Sequence, residues 1–229
     1  MKMNNINLIK NLPRDKKLRY YETYTDKISI NNGNTKTGTN CLTLSVPASV
    51  CREDAPCKKG CYCQKGRQVF SQVLGGYMRN LRIWREKPDD FEKQLFKKLS
   101  NTDKKYFRWF DAGDIPDSDF FNLMIKTAKK FENISFLCYT KKYSIVNDYL
   151  NNHRSLPKNL TVRFSMWDKN WNVDNPHDLP LAFVNFKDTS KNPMLPNKAF
   201  TCRGGHGTTC DKCGVCFNKK VKNVIFNQH

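Results

Sequence analysis

At 229 residues, with 38% hydrophobic and 12% aromatic content, the chain is long enough to form one large domain or two small ones around a real core. Forty Lys and Arg against 21 Asp and Glu leave a formal charge of +19, a field that draws polyanions and makes nucleic acid an expected partner through the basic surface, although the excess of Lys and Asn is also what codon bias in an AT-rich genome produces. No apolar run approaches membrane-spanning length and Met-Lys-Met-Asn-Asn lacks the apolar stretch of a signal peptide, so a cytoplasmic, reducing setting with no membrane partner is expected, where clustered cysteines more often bind metal than form disulfides.

Residues 1–40 form a polar N-terminal segment in which Asn31-Asn-Gly-Asn-Thr-Lys-Thr-Gly38 reads as a turn between short strands. Leu42 to Val46 is the first strand, ended by Pro47, and the loop Cys51 to Cys63 follows it. From Arg67 to Arg85 the apolar residues Val69, Phe70, Val73, Leu74, Tyr77, Met78, Leu81 and Trp84 recur at helical spacing. Gly75-Gly76 in the middle of that helix offers a neighbouring element a close approach. Pro88 opens a second helix to Leu99, Tyr106 to Phe110 is a strand, and a third helix spans about Asp117 to Phe131. Ile134 to Tyr139, Leu160 to Met166 and Leu181 to Phe186 complete the strands, with a short helix from Tyr143 to Leu150.

Strands alternating with helices predict parallel βαβ units with right-handed crossovers. The expected fold is α/β, a partial (β/α) barrel or an open, curved, mainly parallel sheet over residues 41–186, with residues 187–229 as a Cys-rich C-terminal appendage. In such a sheet the cysteine loop, Asp111 to Asp114, Thr140 to Lys142 and Ser165 to Asp168 all follow strand C-termini. Topology brings them to one edge, where α/β folds place their sites.

Eight of the ten cysteines fall in two groups. Cys51, Cys57 and Cys61 are spaced C-x5-C-x3-C with Cys63 close behind. Cys202, Cys210, Cys213 and Cys216 are spaced C-x7-C-x2-C-x2-C. Structural zinc usually takes separated C-x2-C pairs, whereas a C-x2-C-x2-C run is the form of a [4Fe-4S] ligand loop. The expectation is therefore one or two [4Fe-4S] clusters, with zinc as the alternative. Three N-terminal thiolates would leave one iron open unless Cys63 fills it, and a single cluster drawing ligands from both groups is a further arrangement. A cluster pair would draw on an electron donor.

Taken in order, Leu42-Thr-Leu-Ser-Val-Pro47, Cys51, Cys57, Cys61-Tyr62, Arg79-Asn80-Leu81, Asp111-Ala-Gly-Asp114, Tyr139-Thr-Lys141 and the Cys202 to Cys216 run resemble the phage gene product 88 family. That resemblance covers most of residues 41–217 and implies a phage protein acting in the host cytoplasm more than it implies an activity. More remotely, a three-Cys loop after a first barrel strand and a Gly/acidic motif after a later one are similar to radical S-adenosylmethionine enzymes, although the usual spacing there is C-x3-C-x2-C. This second likeness implies an S-adenosylmethionine cofactor whose amino group meets Asp111 and Asp114.

Each of these residues also has a plainer reading. Asp111 and Asp114 suit a turn that caps the next helix. Lys141 suits a phosphate or carboxylate, or is one solvated lysine among many. Arg79, Arg82 and Arg85 make either a phosphate-tracking strip or the wet side of a helix. His206 could replace a thiolate, and Cys41 and Cys138 read as small buried apolar residues. With no Walker loop, dinucleotide fingerprint, nucleophile elbow or HExxH motif, the expectation is an iron-sulfur protein that is a radical S-adenosylmethionine-like or other redox enzyme of unread substrate. The alternative is a zinc-stabilised, basic nucleic-acid-binding protein without catalysis.

Overall fold

The computed structural model describes residues 12–204 and 207–228. Eight strands form one sheet in the order β1-β2-β3-β4-β5-β6-β8-β7. They are β1 (Ile30–Asn31), β2 (Cys41–Leu44), β3 (Tyr106–Trp109), β4 (Ser135–Thr140), β5 (Leu160–Ser165), β6 (Leu181–Asn185), β7 (Phe200–Thr201) and β8 (Asn223–Asn227). Only β1 runs antiparallel, against β2; every other pairing is parallel. The run β2 to β6 follows chain order, which is how a barrel is wound, but β1 and β7 remain as edges and the sheet stays open.

The connections are helices α2 (Ser71–Glu86), α3 (Pro88–Ser100), α4 (Ser118–Lys130) and α5 (Tyr143–Asn152), preceded by α1 (Arg14–Thr23) and followed late in the chain by the single turn α6 (Cys210–Cys213). Their starts have local causes. Pro88 occupies the first turn of α3 with Asp89 and Asp90 beside it, and the Asp117 carboxylate caps α4 by accepting from Phe120 N at 2.7 Å.

Side chains alternate across each strand, so the parallel register sorts them by face. Leu42, Leu44, Phe107, Trp109, Phe136, Cys138, Leu160, Val162 and Phe164 pack with Leu81, Trp84, Phe91, Leu95, Phe120, Met124, Val146 and other helix residues in one core. The helix layer therefore covers one face only. On the other face Cys41 and Leu137 pack against Phe217, with Tyr106, Tyr139, Cys210 and Cys216 around them. The Cys-rich segment is the lid of that face, and it joins the sheet itself because β8 inserts between β6 and β7. Cys41 and Cys138 are fully buried, in line with their apolar reading.

The N-terminal segment is tied down by residues of α2. A Cβ at Gly75 would lie 2.4 Å from Tyr21 Cβ, so the glycine pair does admit α1 at close range. Arg79 is buried, donates to the carbonyls of Tyr21 and Lys27, and lies 5.0 Å from the Tyr24 ring. Arg82 pairs with Asp26 at 2.8 Å and Glu86 at 3.0 Å. These two arginines are thus neither a free phosphate strip nor a wet helix face; they hold residues 21–27 on α2.

Candidate metal centre

The chain leaves β2 at Leu44 and passes through four 3-10 turns before α2 starts, at Ala48–Val50, Pro56–Gly60, Tyr62–Gln64 and Gly66–Val69. Pro47, Pro56 and the left-handed Gly66 (φ 57°) interrupt any longer helix. Cys51, Cys57, Cys61 and Cys63 are all free and half-buried along this loop. Arg52 donates to the Lys141 carbonyl at 3.3 Å, the Tyr62 hydroxyl donates to the Asp111 carbonyl, and Cys63 Sγ lies 3.9 Å from the same oxygen. The loop is thereby fastened to the ends of β3 and β4, as the topology predicts.

The turn after β3 is strained. Phe110, a buried aromatic, has φ 61°, a left-handed conformation uncommon outside glycine. Ser45 Oγ accepts from Asp111 N and Ala112 N at 3.0 and 3.2 Å, and Gly113 (φ 82°) passes so close to Val46 that a Cβ there would be 2.4 Å from its carbonyl oxygen. Asp111 emerges under Arg108, 3.2 Å from its Nε, and accepts from Asn34 Nδ2 at 3.0 Å. Asp114 turns the other way. Its carboxylate accepts from Thr140 Oγ1 at 2.6 Å, Ile115 N at 2.8 Å and Lys141 N at 2.9 Å, and burial pushes it above the usual carboxylate range despite those donors. Asp114 locks the end of β4 and fixes where Lys141 starts.

The thiols of this loop sense one another. Burial pushes Cys51 up to about 12, and Asp114, Cys57 and Cys61 add to the shift by charge repulsion while Lys141 opposes it. Cys61 is held below the usual thiol range by a hydrogen bond from Cys63, and Cys63 is correspondingly raised. A soft cation would replace this mutual repulsion with attraction.

The second group lies on the sheet face opposite the helices. Arg163, fully buried, donates to the carbonyls of Cys216, Val221, Asn218 and Val215 at 2.9, 2.9, 3.0 and 3.4 Å. Thr161 donates to the Phe217 carbonyl at 2.7 Å. At the other end Cys210 N and Asp211 N donate to the carbonyls of Lys36 and Thr37, and the Asp211 carboxylate accepts from Asn40 N at 2.8 Å. Gly214, at φ 66°, ends the α6 turn beneath Tyr106. Burial pushes Cys210 up to about 11, Arg108 pulling the other way and Cys216 and Cys202 adding repulsion. Arg108 thus stands between Tyr62 of the first loop and Cys210 of the second group. Its guanidinium lies 5.3 Å from the Tyr139 ring, and although burial opposes its charge, Asp111 and the surrounding tyrosines hold its pKa above the usual value.

Among the described residues, no three His, Cys, Asp or Glu side chains converge closely enough to hold a metal ion. The donor set fits a thiophilic metal or cluster, with free, half-buried thiols in groups that repel one another; closing the coordination shell would take a movement of the turns. His206 lies outside the described residues. The structure brings Cys51, Cys57, Cys61 and Cys63 to the strand edge with Asp111, Asp114 and Lys141, and sets Cys202, Cys210 and Cys216 on the second face. Arg108 and Arg163 were not singled out in the sequence, and Tyr62 and Tyr139 entered only through the family resemblance, with no role assigned. The signal for the two arginines was there, a lone charge at an inner position of the strand runs Tyr106-Phe-Arg-Trp109 and Leu160-Thr-Val-Arg-Phe164. A surface groove of about 580 Å³, lined by Phe96, Asn122, Lys126, Lys129, Tyr149 and His153, lies out on the helix layer and contains no thiol.

Fold and site together define a cysteine-rich, open α/β protein with one thiol loop at the C-terminal edge of its parallel strands and a second folded over the sheet. The chain belongs to the Gene product 88 family, whose model matches residues 15–219, from α1 through the last cysteine. It is similar to the Gene 88 protein of Mycobacterium phage D29, 25% identical over 195 residues that cover 75% of this chain and 78% of that protein. No solved structure matches. No helix among the described residues is long and apolar enough to cross a membrane.

Proposed function

We propose that this phage-family protein is an iron-sulfur redox enzyme, radical S-adenosylmethionine-like in plan, with one [4Fe-4S] cluster per cysteine group. The observation that carries the reading is the placement of Cys51, Cys57 and Cys61 on a turn-built loop at the strand edge, free, half-buried and close enough that Cys57 and Cys61 add to the rise in the Cys51 pKa that burial causes. Cys51, Cys57 and Cys61 would hold the site cluster, with Cys63 available as a fourth ligand, and Cys202, Cys210, Cys213 and Cys216 the second. Such a cluster, when bound, supplies one-electron chemistry and, at an iron without a protein ligand, a coordination position for S-adenosylmethionine or substrate.

The chain's own residues prepare that position. Asp114 fixes Thr140 and Lys141 at the rim, and Tyr62 and Cys63 hold the loop against Asp111. Both acidic side chains are engaged within the protein, so their part is to fix this edge, with Asp111 retaining its Arg108 partner. Arg108 opposes the rise in the Cys210 and Cys216 pKa values, and its positive charge would favour the reduced state of a cluster held by the second group. The test is anaerobic purification with iron, sulfide and zinc analysis and a visible spectrum before and after dithionite. Matched iron and sulfide with bleaching on reduction is expected; a colourless zinc protein would refute the enzyme and leave the zinc-stabilised reading.

A further inference from the structure

The strand edge that carries Cys51 also carries an unusual concentration of aromatic and cationic side chains, one contribution after another from successive strand ends. Arg52 follows β2, Lys141 follows β4, Trp167 and Trp171 follow β5, and Phe186 follows β6. Arg52 lies 4.9 Å from the Trp171 ring and Lys141 Nζ 5.5 Å from the Trp167 ring. The platform is braced from below. Trp171 Nε1 donates to the Tyr143 hydroxyl at 2.7 Å, that hydroxyl donates to the Ser165 carbonyl, and Phe186 meets Trp167 edge-on at 5.2 Å.

Three further observations point to a ligand. Both indoles stay partly open to solvent, and so do Arg52 and Lys141. Lys141 makes no ion pair among the described residues, and neither do the exposed Lys58, Lys59 and Lys65 of the adjoining loop. The same loop also exposes two aromatic side chains, Tyr62 and Phe70, each 58% accessible. Arg52 differs in pairing with Asp54 at 2.6 and 2.9 Å, an exposed carboxylate that a phosphate would displace or share, so the unpaired charge of this edge is carried by the lysines. Flat aromatic faces interleaved with such cations are the chemistry that takes stacked bases and phosphates together.

We propose that this edge binds a segment of single-stranded nucleic acid, its bases stacked on Trp167 and Trp171 and its phosphates held by Arg52 and Lys141. A polymer is favoured over a free nucleotide because the cations continue along the cysteine loop and the whole chain carries +19. A duplex is disfavoured because its bases present no open faces. The inference deepens the reading above by naming the substrate class of that site, and its test reads binding, so iron content and nucleic-acid affinity succeed or fail separately.

The experiment is fluorescence anisotropy of a labelled oligothymidine about 12 nucleotides long, titrated with the anaerobically purified chain at several salt concentrations, with metal content recorded on the same sample. Binding is expected, with log K falling linearly in log salt. Replacing Trp167 and Trp171 together by Ala should weaken it at least about tenfold at fixed salt, while the Trp→Phe pair keeps part of the affinity and guards against a folding defect. Arg52→Gln with Lys141→Gln should make the salt slope shallower by about 1 to 2. Lys126→Gln with Lys129→Gln on the helix layer, the same change in charge, should leave both affinity and slope unchanged. The proposal is overturned if the oligonucleotide does not bind, if the two glutamine pairs behave alike, if the indoles prove dispensable, or if thymidine monophosphate competes as well as the oligomer.

Discussion

Arg163 offers the sharpest test of how the second cysteine group is held. Its guanidinium is fully buried and donates to four main-chain carbonyls, of Val215, Cys216, Asn218 and Val221; those of Val215 and Asn218 also accept from Asn218 N and Val221 N at 3.1 Å each, so the loss falls mainly on Cys216 and Val221. Arg163→Ala removes all four bonds and opens a cavity. A buried acceptor left without a partner costs about 1–3 kcal/mol, and hydrogen bonds to a charged group contribute about 1.5–3 kcal/mol each. Some of the freed carbonyls would recover water as residues 215–221 lift, so the sum is not additive and a loss of about 3–5 kcal/mol is expected. Urea unfolding of the metal-free chain measures the total. Hydrogen exchange measures the place: protection should fall over residues 215–221 while α2 and α4 keep theirs. Arg163→Lys, whose ammonium has three donors and no planar fork, should recover only part of the loss. A destabilisation under about 1 kcal/mol, or unchanged exchange at 215–221, would refute the argument that this one side chain fastens the tail.

Other consequences follow from the same geometry. Gly75→Val places a branched side chain where a Cβ already meets Tyr21 at 2.4 Å, so α1 should detach and limited proteolysis should cut between residues 12 and 29 while the sheet remains intact. Asp26, between Lys87 at 2.6 Å and Arg82 at 2.8 Å, has its pKa lowered to about 2 by those hydrogen-bonded cations. A depressed carboxylate stabilises the fold above its unfolded value and loses that contribution as pH falls toward its folded one. The melting temperature should therefore drop between about pH 4 and pH 2 more steeply in the parent chain than in Asp26→Asn. In the metal-free protein near neutral pH, Cys61 should be the first thiol of its loop to react with iodoacetamide and Cys51 and Cys63 among the slowest, because the Cys63 hydrogen bond lowers Cys61 while burial raises Cys51. Mass spectrometry of partly alkylated peptides reads that order directly.

The helix-covered half of the molecule was legible because its residues obey one period at a time. The 3.6-residue recurrence through Leu81 and Trp84, or through Phe120 and Met124, has one physical solution, an apolar stripe against the sheet, and β2 to β6 fall within a residue or two of the strands read from the chain. The edge location of the thiol loop, Asp111 to Asp114 and Lys141 followed from parallel topology alone. The close approach permitted by Gly75-Gly76 was likewise readable, although its occupant was not. Helix α1, RDKKLRYYET, buries no residue completely and shows no apolar stripe, so only its contacts with Gly75 and Arg79 reveal why it sits where it does. Strand β7 was missed because Phe200–Thr201 is too short to establish a period, and β8 because its apolar run, Val224-Ile-Phe226, is brief and its pairing depends on partners far away in the chain.

The same limit explains the second face. Alternation within a parallel strand gives both faces apolar or mixed residues, so Arg108 and Arg163 look like interruptions until the tail folds over them. Their roles are long-range, set by carbonyls and thiols some 50 residues away for Arg163 and by a turn-strained Asp111 for Arg108. The arginines of α2 misled in the opposite sense, since a period of three on a helix says nothing about whether another segment will lie across it.

The central claim is that each cysteine group carries its own cluster, and native mass spectrometry of the anaerobically purified chain tests it most directly. The account predicts a parent mass increased by two [4Fe-4S] units, with one unit lost from the Cys51→Ala, Cys57→Ala, Cys61→Ala variant and the other from the Cys210→Ala, Cys213→Ala, Cys216→Ala variant. A bare chain, zinc in place of iron and sulfide, or a single unit that disappears in both variants would contradict it.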